Sequence, residues 1–330
     1  MTIESKRKQL HYRKASFLKS IGRSLQDLIE EALSKLTPVK FRFEGLDDVS
    51  PDETWRRFIN THRAAMGMQF GNMVLYAADQ NRTIIAINDD SDELDIEQIA
   101  PPSPTDGRRR EFLESILYYG IKENHVVIIQ SMSLRSRELE LHLNWLLREA
   151  NVLDQQNAVF LNNFAPQVTH ERLEQSEVKS VRLGTPLIDH YEEVALKDAE
   201  TKSVKKRFKP FGEGVDILKA LAPNRFGELS WDELEASTNL EVFVEITYKR
   251  QTDPSSQNLL NRLTTALRHA GDEDIRIELR DGGVVVGSDL QVKTFKTIHA
   301  HNGILEPQDA FSKMNEWLLE ILERGVIDAE

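Results

Sequence analysis

Residues Leu240–Arg250, LEVFVEITYKR, place Leu240, Val242, Val244, Ile246 and Tyr248 at every second position. A period of two puts them all on one side of an extended chain, so the segment must join a sheet that buries one face. The stretch Ile275–Lys296, IRIELRDGGVVVGSDLQVKTFK, has the same character. Ile275, Ile277 and Leu279 point one way, Arg276, Glu278 and Arg280 the other, and Asp281-Gly282-Gly283 supplies a tight turn. The spacing predicts a hairpin whose return strand carries Lys293 and Lys296.

A second periodicity runs beside the first. SFLKSIGRSLQDLIEEALSKL spaces Phe17, Leu18, Ile21, Leu25, Leu28, Ile29 and Leu33 as a helix would, with Ser16 as N-cap and Pro38 beyond its end. REFLESILYYG is expected to be a second helix, and Leu139, Leu143, Leu146 and Leu147 mark a third. Asp253-Pro254 opens a further helix with Gly271 at its end, and GVDILKAL reads as a short one. A closing helix buries Phe311, Met314, Trp317, Leu318 and Ile321. NMVLYAADQNRTIIAIN, HVVIIQS and AVFLNNF read as strands.

Both periods occur in both halves, which predicts an α+β fold of mixed antiparallel strands and amphipathic helices. At 330 residues, length favours two domains. The expected division is 1–164, an amino-terminal α+β domain with a basic leading segment; 165–210, a polar linker or mobile arm in which only VKSVRLGTPLI hints at a strand; and 211–330, a carboxyl-terminal α+β domain.

The chain has no cysteine, which excludes disulfides, thiol nucleophiles and zinc–thiolate sites. No apolar run approaches the roughly 18 residues of a membrane span, and MTIESKRKQLHYRK carries charge where a signal peptide needs an apolar core. A cytoplasmic protein without direct membrane insertion is expected. His299 and His301 lack a carboxylate at ligand spacing, FGEG lacks the lysine and hydroxyl of a phosphate loop, and no G-x-S-x-G occurs. No cofactor, metal or catalytic residue is therefore expected.

The formal net charge is −12, yet the bases are clustered. Residues 1–25 hold Lys6, Arg7, Lys8, Arg13, Lys14, Lys19 and Arg23 against Glu4 alone, and KSVKKRFK contains Lys205, Lys206 and Arg207. Screening beyond about 8–10 Å lets a basic patch act locally on an acidic protein. Twin arginines two apart on a strand stand about 7 Å from each other, and the basic side of the Arg276–Arg280 strand suits repeated phosphates. The expected DNA-binding set is Arg280, Arg276, Lys293, Lys296, Lys205, Lys206 and Arg207.

Several strings together resemble the RexA-like, lambda-type phage exclusion proteins: the basic start, NMVLYAADQNRTIIAIN, HVVIIQS, GVDILKAL…GELSWDEL…LEVFVEI, the hairpin DIRIELRDGG and the closing helix. That resemblance implies a homodimer that binds double-stranded DNA without marked sequence preference, acts in abortive infection and works with a RexB-like membrane partner. Arg280 stands at the family's Leu-Arg position, whereas the basic residue expected just beyond it is replaced by Asp281-Gly282-Gly283. Two alternatives remain beside this reading: a protein–protein adaptor in phage defence, and a metal-dependent nuclease using Asp274 and Glu278.

Overall fold

The computed structural model describes residues 3–46, 54–86, 95–102, 106, 108–164, 169, 178–186, 190–197, 204–211, 241–247, 275–279 and 281–327. The helices expected at 253–270 and within GVDILKAL, and residue Arg280, lie outside them. Among the described residues the protein is α+β, with antiparallel ladders and three α-helices. No helix among them is long and apolar enough to cross a membrane.

The basic amino terminus is a strand, not a tail. β1 (Ile3–Phe17) pairs along Ile3–His11 with β16 (Lys293–His301) and along Leu10–Lys14 with β8 (His125–Ile129). Residues Lys14–Phe17 then pair with β9 (Val159–Asn162). Beyond β8 the sheet continues through β7 (Leu113–Lys122), β4 (Met68–Ala78), β3 (Thr54–Ala65) and the two-residue β2 (Glu44–Gly45). At the opposite end β17 (Ile304–Leu305) pairs with the last residues of β16.

Both sheet faces are covered over its centre. Leu117, Tyr119, Ile121, Val126 and Ile128 point toward α1 (Leu25–Lys35) and α2 (Ser136–Glu149). Leu10, Tyr12, Tyr118, Val127, Ile129 and Ile298 point toward Phe311, Met314, Trp317 and Leu318 of α3 (Pro307–Glu323). The Phe70 and Phe311 rings stack at 4.9 Å.

Two expected helices are corrected. REFLESILYYG contributes β7, because a strand buried on both faces shows a continuous apolar run instead of alternation. At Gly120 a Cβ would stand 2.8 Å from the Phe70 ring, so neighbouring strands leave no room for a side chain. The first helix starts at Leu25, not near Ser16. Ser24 is its cap: the Ser24 hydroxyl accepts from the Asp27 N–H at 3.1 Å and Asp27 accepts from the Ser24 N–H at 3.1 Å. Ser16 lies in β1 and its hydroxyl accepts from the Asn162 amide at 2.7 Å. α2, β8, β9 and the closing helix occupy the expected segments. The strands on either side of the turn at Asp79 also form, but β5 (Arg82–Ala86) pairs with β6 (Asp95–Ile99) and not with β4.

One unit comprises Met1–Gln167, Thr264–His269 and Gln291–Glu330; the other comprises Val168–Leu263 and Ala270–Leu290. Residues 291–330, assigned above to a carboxyl-terminal domain, therefore belong with the amino-terminal sheet, since the β16 backbone bonds to β1. In the stretch 165–210 the strand hinted by VKSVRLGTPLI forms as β10 (Val178–Pro186), and two strands not expected there, β11 (His190–Lys197) and most of β12 (Val204–Phe211), also fall in it. β10 lies between β13 (Glu241–Thr247) and β14 (Ile275–Leu279), and β14 pairs with β15 (Val284–Val286).

A buried ion pair ties β2, β3 and α2 together. Arg57 donates to Glu44 through Nε and Nη2, both at 2.9 Å, and the Glu44 carboxylate also takes the His142 Nδ1–H at 2.7 Å. Burial pushes the Glu44 carboxyl up, but the His142 hydrogen bond and the Arg57 charge outweigh it and hold the group below its usual range. Burial holds His142 below the ordinary imidazole value despite Glu44, so it is neutral at pH 7.

Gly71→Ala is expected to lower stability by about 1–3 kcal/mol in urea unfolding, because the new Cβ would meet the Tyr119 ring and the Thr61 carbonyl oxygen at 2.7 Å. Acid should weaken the fold through His142. The unfolded chain takes up its proton below about pH 6.5 while the folded chain resists, so stability is complete above that pH and falls as pH drops. Denaturant midpoints at pH 7.5 and 5 should therefore converge in His142→Gln relative to the parent.

Candidate nucleic-acid interface

The expected cations do not share one strand pair. β14 and β15 do form a short hairpin: the Leu279 N–H donates to the Gly283 carbonyl at 2.8 Å, and Gly282 takes φ +87°. The chain then leaves through the 3₁₀ turn Gly287–Leu290 and enters β16 beside β1, so Lys293 and Lys296 belong to a different sheet from Arg276.

Arg276 is half-exposed, with its Nε 3.8 Å from Glu278 on the same strand. Across the sheet it faces Arg182 of β10, which in turn faces Glu245 of β13. Acidic and basic residues thus alternate in the register of this sheet. Lys205, Lys206 and Arg207 lie on β12 opposite Leu196, Ala195 and Val194 of β11. Arg280 lies outside the described residues.

The β1–β16 ladder separates Lys293 from Lys296 by the pleat. Opposed residues of an antiparallel pair share a face, and successive residues alternate. Lys296 stands opposite Lys8, on the side that carries α3, and its ammonium lies 3.2 Å from Glu320. Lys6, on that same side, lies 3.7 Å from Glu4. These cations have acidic neighbours.

The other side differs in kind. Its positions are Ser5, Arg7, Gln9 and His11 on β1 with Lys293, Phe295, Thr297, His299 and His301 on β16, and none of them is acidic. Arg7 lies with its guanidinium carbon 4.3 Å from the centre of the Phe295 ring. Phe295 is 51% exposed, and Ser5, Arg7, Thr297 and His299 are exposed too. Asp309 of α3 lies 3.1 Å from the His299 ring on this face. A cation held flat on an aromatic ring keeps its N–H groups directed outward and loses less rotamer freedom when it meets an anion. The face can therefore accept phosphates without displacing a carboxylate from Arg7.

Reading the sequence alone overlooks Phe295 and takes Arg7 only as one base in a charged run. The signal is present: in KRKQLHYR the pleat separates Lys6, Lys8, Leu10 and Tyr12 from Arg7, Gln9, His11 and Arg13. Knowing that Phe295 stands across the ladder, opposite Gln9, requires the register.

A cleft of about 830 Å³ beside the α1 amino terminus is a weaker candidate. Its lining pairs Arg23 and Lys122 with Asp27 and Glu123, the Asp27 carboxylate already caps the helix, and Arg23 bonds Glu31 at 2.8 Å. Among the described residues, no group of three His, Asp or Glu side chains could hold a metal ion. No family model matches the chain, and the search of curated proteins found no match either.

Because Phe295 is half in solvent, Phe295→Ala should change unfolding free energy by no more than about 0.5 kcal/mol. Ile298→Ala, fully buried on the opposite side of the same strand, should cost about 2–5 kcal/mol. Equilibrium unfolding of the two variants checks whether the pleat is oriented as described.

Proposed function

We propose that this chain binds nucleic acid without sequence preference, holding backbone phosphates on the face of the β1–β16 ladder that carries Arg7 and Phe295. Arg7 and Lys293 contact phosphates, Phe295 fixes the Arg7 guanidinium, and the amide and hydroxyl groups of Gln9 and Thr297 add neutral hydrogen bonds. The observation that carries this reading is the exposed Arg7–Phe295 pair, a guanidinium held on an aromatic ring in a chain of net charge −12. Phosphate neutralisation with counterion release gives affinity without base readout.

Duplex DNA, a homodimer, cytoplasmic location and a role in phage exclusion with a RexB-like membrane partner are what the RexA-like strings add to this proposal. Two-fold pairing would double the cationic face and offset the repulsion of an acidic body. Within this reading Lys296 has a lesser part than Arg7, because contacting phosphate would require it to leave Glu320. Arg276 would likewise exchange Glu278 for phosphate.

A gel-shift salt series on a duplex decides the matter. The parent should bind at low salt, equally for unrelated sequences. Arg7→Ala/Lys293→Ala should weaken binding to all of them and lower the salt slope by about 0.9 for each phosphate that is no longer neutralised. Unchanged binding in that variant, with loss in Arg276→Ala/Arg280→Ala, would move the site to the β14–β15 hairpin. A duplex left free at low ionic strength would sink the proposal and favour an adaptor that docks a protein on Phe295. Cleavage of plasmid DNA with added divalent metal would favour the nuclease.

A further inference from the structure

The backbone of β16 has an outer edge as well as a face. His299 sends its N–H to the Asp309 carboxylate at 2.7 Å, and its carbonyl oxygen takes the Glu306 N–H at 2.8 Å, so both groups point away from β1. In an antiparallel ladder that direction returns at every second residue. Thr297, Phe295 and Lys293 therefore also turn their N–H and C=O groups outward. The Tyr12 N–H, 2.9 Å from the Val292 carbonyl oxygen, fixes the same phase from the β1 side. β17 occupies the outer side only at Ala300 and His301, and among the described residues no strand pairs with it from Lys293 to Thr297. Phe295 and Thr297 are exposed.

An edge of this kind is a template for one more strand, and the side chains beside it decide which. The stretch has no proline to block pairing. Lysines on an edge discourage neutral and cationic strands, but an acidic one meets no such barrier. A strand added about 4.8 Å from β16 would set alternate side chains on the Arg7 face, opposite Thr297, Phe295 and Lys293. Arg7 already reaches from β1 onto the Phe295 ring, its guanidinium carbon 4.3 Å from the centroid.

We infer that the outer edge of β16 is a docking site for an acidic, extended peptide segment of a protein partner, which adds as an antiparallel strand along Lys293–Thr297. Carboxylates opposite Phe295 and Lys293 meet the Arg7 guanidinium and the Lys293 ammonium. The residue opposite Thr297 is neutral, because Asp309 lies beside His299 at the next position on that face. The residues between them, opposite Lys296 and Thr294, are β-branched, as a strand favours. The docking stands apart from the nucleic-acid reading; only its corollary, that a bound acidic strand excludes phosphates from Arg7 and Lys293, rests on that reading.

The probe is the labelled, carboxyl-amidated peptide Thr-Val-Glu-Val-Glu, followed by fluorescence polarisation against the full chain without nucleic acid. The parent should bind it saturably, and less tightly as salt rises. N-methylation of the central Glu keeps its charge and removes one ladder donor, and should weaken binding about tenfold or more. Glu-Glu-Val-Val-Thr, the same residues without the period of two, should lose about as much. Thr297→Pro removes an outward N–H that β1 does not use, and should also cost about tenfold; the peptide series on the parent keeps the test alive if that variant does not fold. Equal binding of all three peptides would reduce the interaction to charge alone and overturn the inference, as would no binding at all. A parent that is dimeric by light scattering without peptide, and monomeric as Thr297→Pro, would give the edge to a second copy and overturn it too. Peptide binding by a chain that leaves duplex DNA alone would sink the nucleic-acid reading and leave this inference standing.

Discussion

The backbone ladder between β1 and β16 joins the beginning of the sequence to its end, and the arrangement of the larger unit follows from it. β1 is long enough to bond β16 along its first half and β8 and β9 along its second. α3 follows β16 almost directly, so the ladder also delivers Phe311, Met314 and Trp317 onto the face formed by Leu10, Tyr12 and Val127. Without that pairing the face would lack its covering helix. Closing so large a loop costs only slowly growing entropy, whereas the ladder returns backbone hydrogen bonds along its length and a buried apolar layer.

The pleat then sorts the charges. On the helix-covered side of β1–β16, the cations Lys6 and Lys296 have carboxylates at 3.7 and 3.2 Å. On the open side Arg7 rests against an aromatic ring instead. A chain with more acids than bases can therefore present a locally positive surface, because screening shortens the reach of its remaining charge. Inside the sheet the logic is different. Arg57 and Glu44 bond through two parallel hydrogen bonds, the arrangement that makes a buried ion pair tolerable, and their mutual satisfaction leaves Arg42 without a counterion.

How much of this is legible in the sequence depends on one-sided burial. α2 and α3 are legible from their apolar stripes, β8 as a short continuous apolar run, and the Asp281-Gly282 turn from its residue types. β7 reads as a helix because Ile116–Ile121 is largely buried on both sides, and two-sided burial erases the alternation that identifies a strand. β1 reads as a charged run because much of its polar periphery lies toward one end of the strand, while Leu10 and Tyr12 anchor its centre. The strand Ile275–Leu279 and its short hairpin are visible; the departure of the following strand into another sheet is not.

The sequence by itself determined the α+β class, the short-range elements with clear periods and caps, the lack of thiol chemistry, and which residues carry positive charge. These depend on neighbours within a turn or a strand, where chemistry acts over a few residues. Tertiary structure alone decided that Lys293 and Lys296 face opposite ways, that Arg7 meets Phe295, and that Glu44 meets both Arg57 and His142. Those outcomes depend on register between distant segments, and a one-residue slip in a ladder would invert every one of its side chains.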